Sequence, residues 1–383
     1  MKKVLIVHNK YQYKGGEDIA VENEINFLSN YFKVETLFFS NKIENFLTQA
    51  IYFILNRNKK SEKELEDKIN SFKPDLIYIH NTWFKASLGI FNIINKSKIN
   101  TVLKLHNFRY KCTKSYRSSI HFTEGEVCSA CGLKKSSMGL FNKYFKESYL
   151  KSLLIIYYGK KYFKILKKKS IKIFVLTEFH KKFLTEELMF NNSINIFPNY
   201  IDISQSNNEV NNEKYITYAG RISEEKGVKE LISSFLSASI NDMSLKIIGN
   251  GPLLDSLRRE YDNSSIEFLG EKSNEETLKI ISKSMAVVTA TKLYEGQPVL
   301  LCEASSLGIP AIFPDTGGIK EFFPDNYSLS FKQFDYKELT AKLENLSNQD
   351  FMKKIGEENK KFIKDYLDGD YLIQKLNEII DGR

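Results

Sequence analysis

The chain has 383 residues, too many for one ordinary hydrophobic core, and suits two domains of roughly 150 to 200 residues each. With 42% hydrophobic and 27% charged residues it is expected to be globular and soluble, and no apolar run approaches the ~20 residues of a membrane span. The net charge of +9 is unevenly spread: residues 1–200 carry 34 Lys and Arg against 17 Asp and Glu, net +17, whereas residues 201–383 carry 22 against 30, net −8.

The start, M-K-K-V-L-I-V-H, places only four apolar residues between two lysines and His8. That is too short for a signal-peptide core and reads as the first buried strand of a cytoplasmic protein. Compact apolar runs at 3–8, 33–39, 76–80, 101–106 and 172–177 predict strands buried on both faces, with helices at 18–30, 63–71 and 87–95 between them. Three cysteines follow His106 as C-x15-C-x2-C: Cys112, Cys128 and Cys131. The Cys-x-x-Cys knuckle suits a structural zinc, with His121 the nearest fourth ligand; reduced thiols in a polar cytosolic loop are the alternative. Cys302, on an apolar helix, reads as core.

Between Tyr144 and Lys172, nine lysines (146, 151, 160, 161, 164, 167, 168, 169, 172) face one acid, Glu147, interleaved with aromatic and aliphatic residues. A solvated helix face is one reading. A surface that lies on anionic lipid is the other, and no nucleic-acid module accompanies the charge.

The pattern pauses near Pro198, and the polar stretch 204–213 reads as a linker. It then restarts, with strands at 215–219, 244–248, 266–269, 286–290 and 311–313 and helices at 229–238, 252–261, 274–282 and 299–306. Two successive alternating series predict two doubly wound domains, 1–199 and 200–365, facing each other across a cleft. The helical tail, about 366–383, is expected to pack back on the first domain.

Three loops of the second series carry chemistry. G-R-I-S-E-E-K-G (220–227) offers a guanidinium and an ammonium to a phosphate, unless Arg221 and Lys226 merely pair with Glu224 and Glu225. G-N-G-P (249–252) is a strand-to-helix turn whose glycines admit another molecule to the backbone. In E-G-Q-P-V-L-L-C-E, Glu295 and Glu303 bracket seven uncharged residues, with a helix starting at Pro298. Both carboxylates are then expected at the carboxyl end of the sheet. There they accept from hydroxyls while the amides of Gln297, Val299 and Leu300 point at an anion.

These elements in this order resemble the donor half of family 4 glycosyltransferases, retaining enzymes of GT-B fold. Y-K-G-G-E-D (13–18), the strand-closing His106 and P-N-Y-I-D (198–202) resemble the corresponding amino-terminal and hinge features, with Tyr200 in place of a glycine. The resemblance implies that Arg221 and Lys226 hold a diphosphate, that Glu303 accepts from the ribose and that Glu295 accepts from the transferred sugar. It further implies that Gly220, Asn250, Gly251 and Gly270 surround the nucleotide, with Gly296, Gln297, Val299 and Leu300 beside its phosphates. Gly16 would approach the phosphates from the first domain, and His106 would bond the sugar ring.

The expected activity is retaining transfer of a hexose or N-acetylhexosamine, from UDP ahead of GDP, to a saccharide acceptor, expected to be lipid-linked, at the inner face of the membrane. No catalytic metal or cofactor is expected. Two other classes fit part of the pattern. A nucleotide-sugar epimerase would isomerise the donor alone, and a non-catalytic membrane scaffold would bind no nucleotide.

Overall fold

The computed structural model describes residues 1–10, 16–41, 51–52, 54–114, 127–133, 148–202, 213–240, 242–262 and 264–382. The chain forms two compact units. Unit 1 comprises Met1–Glu126, Leu133–Tyr200 and Asp368–Arg383; unit 2 comprises Val127–Gly132 and Ile201–Leu367. Each is built on a parallel six-stranded sheet. Most of the linker stretch 204–213 lies outside the described residues.

In unit 1 the strands are β1 (Lys3–Lys10), β2 (Lys33–Ser40), β3 (Leu76–Ile79), β4 (Asn100–Lys104), β5 (Lys172–Val175) and β6 (Ile194–Ile196), in the order β2-β1-β3-β4-β5-β6. Val4, Leu5, Ile6 and Val7 of β1 are fully buried, as a strand flanked by two others and covered on both faces requires. The α-helices among the described residues are α1 (Gly16–Ser29), α2 (Lys59–Phe72), α3 (Ile90–Ser97), the short α4 (Arg109–Cys112), α5 (Tyr149–Leu166) and α6 (Glu178–Lys182). Asn58 caps α2 through the Lys60 and Ser61 amides, and Ser148 caps α5 through Lys151. His106 stands two residues past β4 rather than inside it, because pairing with β5 ends at Lys104.

Unit 2 contains β7 (Tyr215–Ala219), α7 (Val228–Ser237), β8 (Ser244–Ile248), α8 (Leu254–Glu260), β9 (Ile266–Gly270), α9 (Asn274–Ile281), β10 (Ala286–Val288), α10 (Val299–Ser306), β11 (Ala311–Asp315), β12 (Ser330–Lys332), α11 (Tyr336–Glu344) and α12 (Gln349–Tyr366). The strand order β12-β11-β10-β7-β8-β9 is that of a dinucleotide-binding fold, reversing direction between β7 and β10. Helix α10 starts at Val299, with Pro298 as its N-cap instead of its first residue.

The last helix, α13 (Gly369–Ile380), packs in unit 1: Leu372, Leu376 and Ile379 join Val4, Ile6 and Phe27 in its core. Lys2 fastens it further through Asn377 and Asp381. Tyr200, where the resembled hinge has glycine, stacks on Phe27 with ring centroids 3.9 Å apart.

Candidate active site

Where a doubly wound sheet reverses its strand order, the loops leaving the two central strands diverge and open a crevice for ligands. In unit 2 those loops follow β7 and β10, and they carry Arg221 and Lys226 on one side and Thr291 and Glu295 on the other. The loops are tied together: the Lys292 amide donates to Glu225 O at 2.9 Å, and Lys292 Nζ to Glu230 at 2.6 Å. Lys226 does not pair with Glu224 or Glu225. Its ammonium donates to Glu295 Oε1 at 2.5 Å, and Thr291 Oγ1 donates to the same oxygen at 3.0 Å. Arg221 is exposed, and its carbonyl accepts from Tyr218 Oη at 2.9 Å.

Backbone packing fixes this geometry. A Cβ at Gly317, whose φ is +61°, would fall 2.3 Å from Glu295 O, and the neighbouring Gly318 amide donates to that carbonyl at 2.8 Å. The 249–251 turn is seated on the loop after β7: Ile222 N donates to Asn250 O at 2.9 Å, and Gly251 lies so close to Ile222 that only hydrogen fits. Asn250 is exposed with Oδ1 accepting from the Gly251 amide; Gly220 is exposed too, and Gly270 faces open space.

Glu303 lies inside α10 and is 6% exposed. Its one side-chain partner among the described residues is Asn274, whose Nδ2 donates at 3.4 Å, and burial pushes the carboxyl up to about 7 against that bond. The expectation for the amides at the start of α10 needs correction at Val299, whose N–H donates to Gln297 O at 3.0 Å. Gly296 and Gln297 are buried, and Leu300 is half-buried. Cys302 is core, its thiol raised by burial and by Glu303.

Unit 1 reverses its strand order between β1 and β3, and a cavity of about 230 Å³ lies in this unit, with His80 and Asn81 after β3 and His106 and Asn107 after β4 in its wall. Glu17, Trp83, Lys104, Arg109 and Tyr162 complete much of the lining. His106 Nε2 is 3.0 Å from His80 Nδ1, and burial holds both rings well below the ordinary histidine range, aided by Lys104. His80 Nε2 is buried and has no hydrogen-bond partner among the described residues. Beneath the cavity, Lys104 is buried against both oxygens of Glu24, which also accepts from Tyr78 Oη at 2.7 Å.

Gly16 is exposed as the first residue of α1; Tyr13, Lys14 and Gly15 of its loop lie outside the described residues. Cys112 is buried at the end of α4 in unit 1. Cys128 and Cys131 belong to unit 2, buried, reduced and with sulfurs within 4.8 Å of each other. Their segment abuts the loop after β10, where the Tyr294 amide donates to Ser129 O at 2.6 Å. His121 lies outside the described residues, as does Lys146.

Asn274, Thr291, Gly317 and His80 were not singled out in the sequence. The T-G-G at 316–318 after β11 and the His-Asn closing β3 were the available signals.

Residues 199–364 match the family described as Glycosyl transferases group 1. An uncharacterized glycosyltransferase of Methanocaldococcus jannaschii is 26% identical over 379 residues, covering 95% of this chain and 94% of that one. The capsular polysaccharide biosynthesis glycosyltransferase CapM of Staphylococcus aureus is 24% identical over 178 residues, 44% of this chain and 46% of CapM. Anabaena HepE, solved with UDP and glucose, superposes with a TM-score of 0.69 at 14% identity, covering 100% of both chains. Residues 199–364 thus match a group 1 glycosyltransferase domain, and the chain has the GT-B fold of two Rossmann-like domains.

Proposed function

We propose that the chain is a retaining glycosyltransferase that moves a hexose or N-acetylhexosamine from a UDP-sugar, ahead of a GDP-sugar, to a lipid-linked saccharide in surface polysaccharide synthesis. The observation that carries this reading is the gathering of Arg221, Lys226, Glu295 and the buried Glu303 around one strand-order reversal in a group 1 domain. HepE's UDP and CapM's place in capsule synthesis support the choice of donor and pathway.

Arg221 and Lys226 take the diphosphate, whose charge grows as the glycosidic bond breaks, so their attraction is stronger in the transition state than in the ground state. Lys226 then leaves Glu295 free to accept from hydroxyls of the transferred sugar. The ribose hydroxyls donate to Glu303 and supply the buried carboxylate with partners. Two cations and a helix N-terminus neutralise the leaving group, so transfer proceeds without a divalent metal. Attack comes from the face the diphosphate leaves, through an oxocarbenium-like state, which retains configuration. The acceptor occupies the unit 1 cavity, where His80 Nε2 awaits a hydrogen-bond partner. Its lipid seats the protein at the inner face of the cell membrane; no helix among the described residues is long and apolar enough to cross one.

Thermal-shift measurements against UDP-, GDP-, ADP- and dTDP-sugars test the reading. A ligand at 100 times its dissociation constant adds ~2.7 kcal/mol. Stabilisation by none of the four would overturn donor binding, and an inverted product anomer would overturn retention.

A further inference from the structure

Helix α5 has two faces with different tasks. Ile155, Tyr158, Gly159, Tyr162 and Leu166 are buried, and Gly159 is so close that a Cβ would fall 2.3 Å from Thr113 O. Ile155 and Tyr162 of this face line the unit 1 cavity.

The outer face is ordered along its length. Leu150, Leu153 and Tyr157, three and four residues apart, are 69%, 49% and 46% exposed, beside Tyr149 at 62%. Lys160 and Lys164 continue the same spacing and are exposed, with Lys168 just beyond the helix end. No acid occurs between Tyr149 and Leu166. The ridge is therefore apolar over its first ~10 Å and cationic over its last ~12 Å, at 1.5 Å per residue. At the junction Lys161 Nζ lies 4.2 Å from the centre of the Tyr157 ring.

We infer that this ridge is a contact surface for an anionic lipid leaflet. Such a leaflet offers hydrocarbon and a plane of negative charge side by side, the complement of a ridge that changes from apolar to cationic along its axis. The helix lies inclined: Leu150, Leu153 and Tyr157 enter below the headgroups while Lys160, Lys164 and Lys168 stay among the phosphates. Tyrosine belongs at that boundary, apolar body inward and hydroxyl in water. The cavity wall is the other side of the same helix, so the surface holds the cavity about one helix diameter, ~10 Å, from the lipid. This rests on the proposed function for the identity of the acceptor, a saccharide on a lipid anchor.

The test is sedimentation of the full chain with vesicles of phosphatidylcholine alone or mixed equally with phosphatidylglycerol, at low salt. Wild type should prefer the mixed vesicles. Lys160→Gln/Lys164→Gln/Lys168→Gln should erase that preference, and Leu150→Gln/Leu153→Gln/Tyr157→Gln should lower partitioning at least about tenfold. The UDP-induced thermal shift, measured without lipid, should persist in both variants and shows that they fold. If wild type ignores both vesicle types, or only the lysine variant loses binding, no side chain enters lipid and the inference fails. Vesicle binding with no nucleotide shift would instead remove the transferase reading and leave the surface standing. Loss of vesicle binding with transfer to a soluble oligosaccharide intact would do the reverse.

Discussion

Lys226 and Glu295 neutralise each other: the ammonium donates to Glu295 Oε1 at 2.5 Å, with side chains 29% and 25% exposed. A pair this open to solvent contributes only about 0.2–1 kcal/mol to stability, so its importance lies in what displaces it. Lys226→Met and Glu295→Gln should each lower donor turnover by ~100-fold or more, and the double variant should fall little below the worse single one. Fully additive losses in a kcat/KM cycle would show that the two residues act independently.

Arg221→Ala should slow transfer comparably, by about 100- to 1,000-fold, because its charge meets the leaving diphosphate. EDTA should leave wild-type turnover unchanged. Activity that requires Mg²⁺ or Mn²⁺ and survives the loss of Arg221 and Lys226 would exclude neutralisation by these side chains.

Glu303→Ala should weaken nucleotide binding by about 1.5 to 3 kcal/mol, the worth of hydrogen bonds to a charged acceptor. Its carboxyl titrates at about 7 because it is buried, and hydroxyl donors favour the ionised form. Nucleotide binding should therefore release a proton below pH 7, and affinity should rise from pH 5.5 to 7.5. Glu303→Gln should flatten that dependence in calorimetry. In the ligand-free protein the sign is opposite for stability: a raised carboxyl favours folding at low pH, and that contribution fades as pH rises toward 7.

Unit 1 should respond to acid in the other direction. Burial lowers His180 to about 3 and holds His80 and His106 well below their ordinary value. Below pH ~6.5 the unfolded chain takes up protons that the folded one refuses, so stability is complete above that pH and is lost as pH falls. Each histidine contributes a slope of up to ~1.4 kcal/mol per pH unit. Urea midpoints should drop between pH 6.5 and 5, and a midpoint independent of pH would contradict the neutral buried rings.

Much of this was legible in the sequence because parallel strands covered on both faces leave uninterrupted apolar runs. Tyr215–Ala219, Ser244–Ile248 and Val299–Ser306 fall where the pattern puts them. The three-residue strands Ile194–Ile196 and Ser330–Lys332 were missed, since an edge strand needs too few buried residues to leave a pattern. The charged residues of the site were legible as a spacing, but their partners were not. Asn274 reaches Glu303, and Gly317 abuts Glu295, only because α9 and the turn after β11 converge there in the fold. The Tyr200 departure likewise acquired its reason from Phe27, distant in sequence.

Trp83 is the chain's one tryptophan, and it stands in the cavity wall with the Tyr158 ring centred 4.5 Å away. The molecule therefore carries its own optical reporter. Emission of that single indole should report occupancy of the cavity without a label. A nucleotide held only by unit 2 alters it solely if binding there is communicated to unit 1, so titrating donor and acceptor in either order would read the coupling between the two substrates directly from fluorescence.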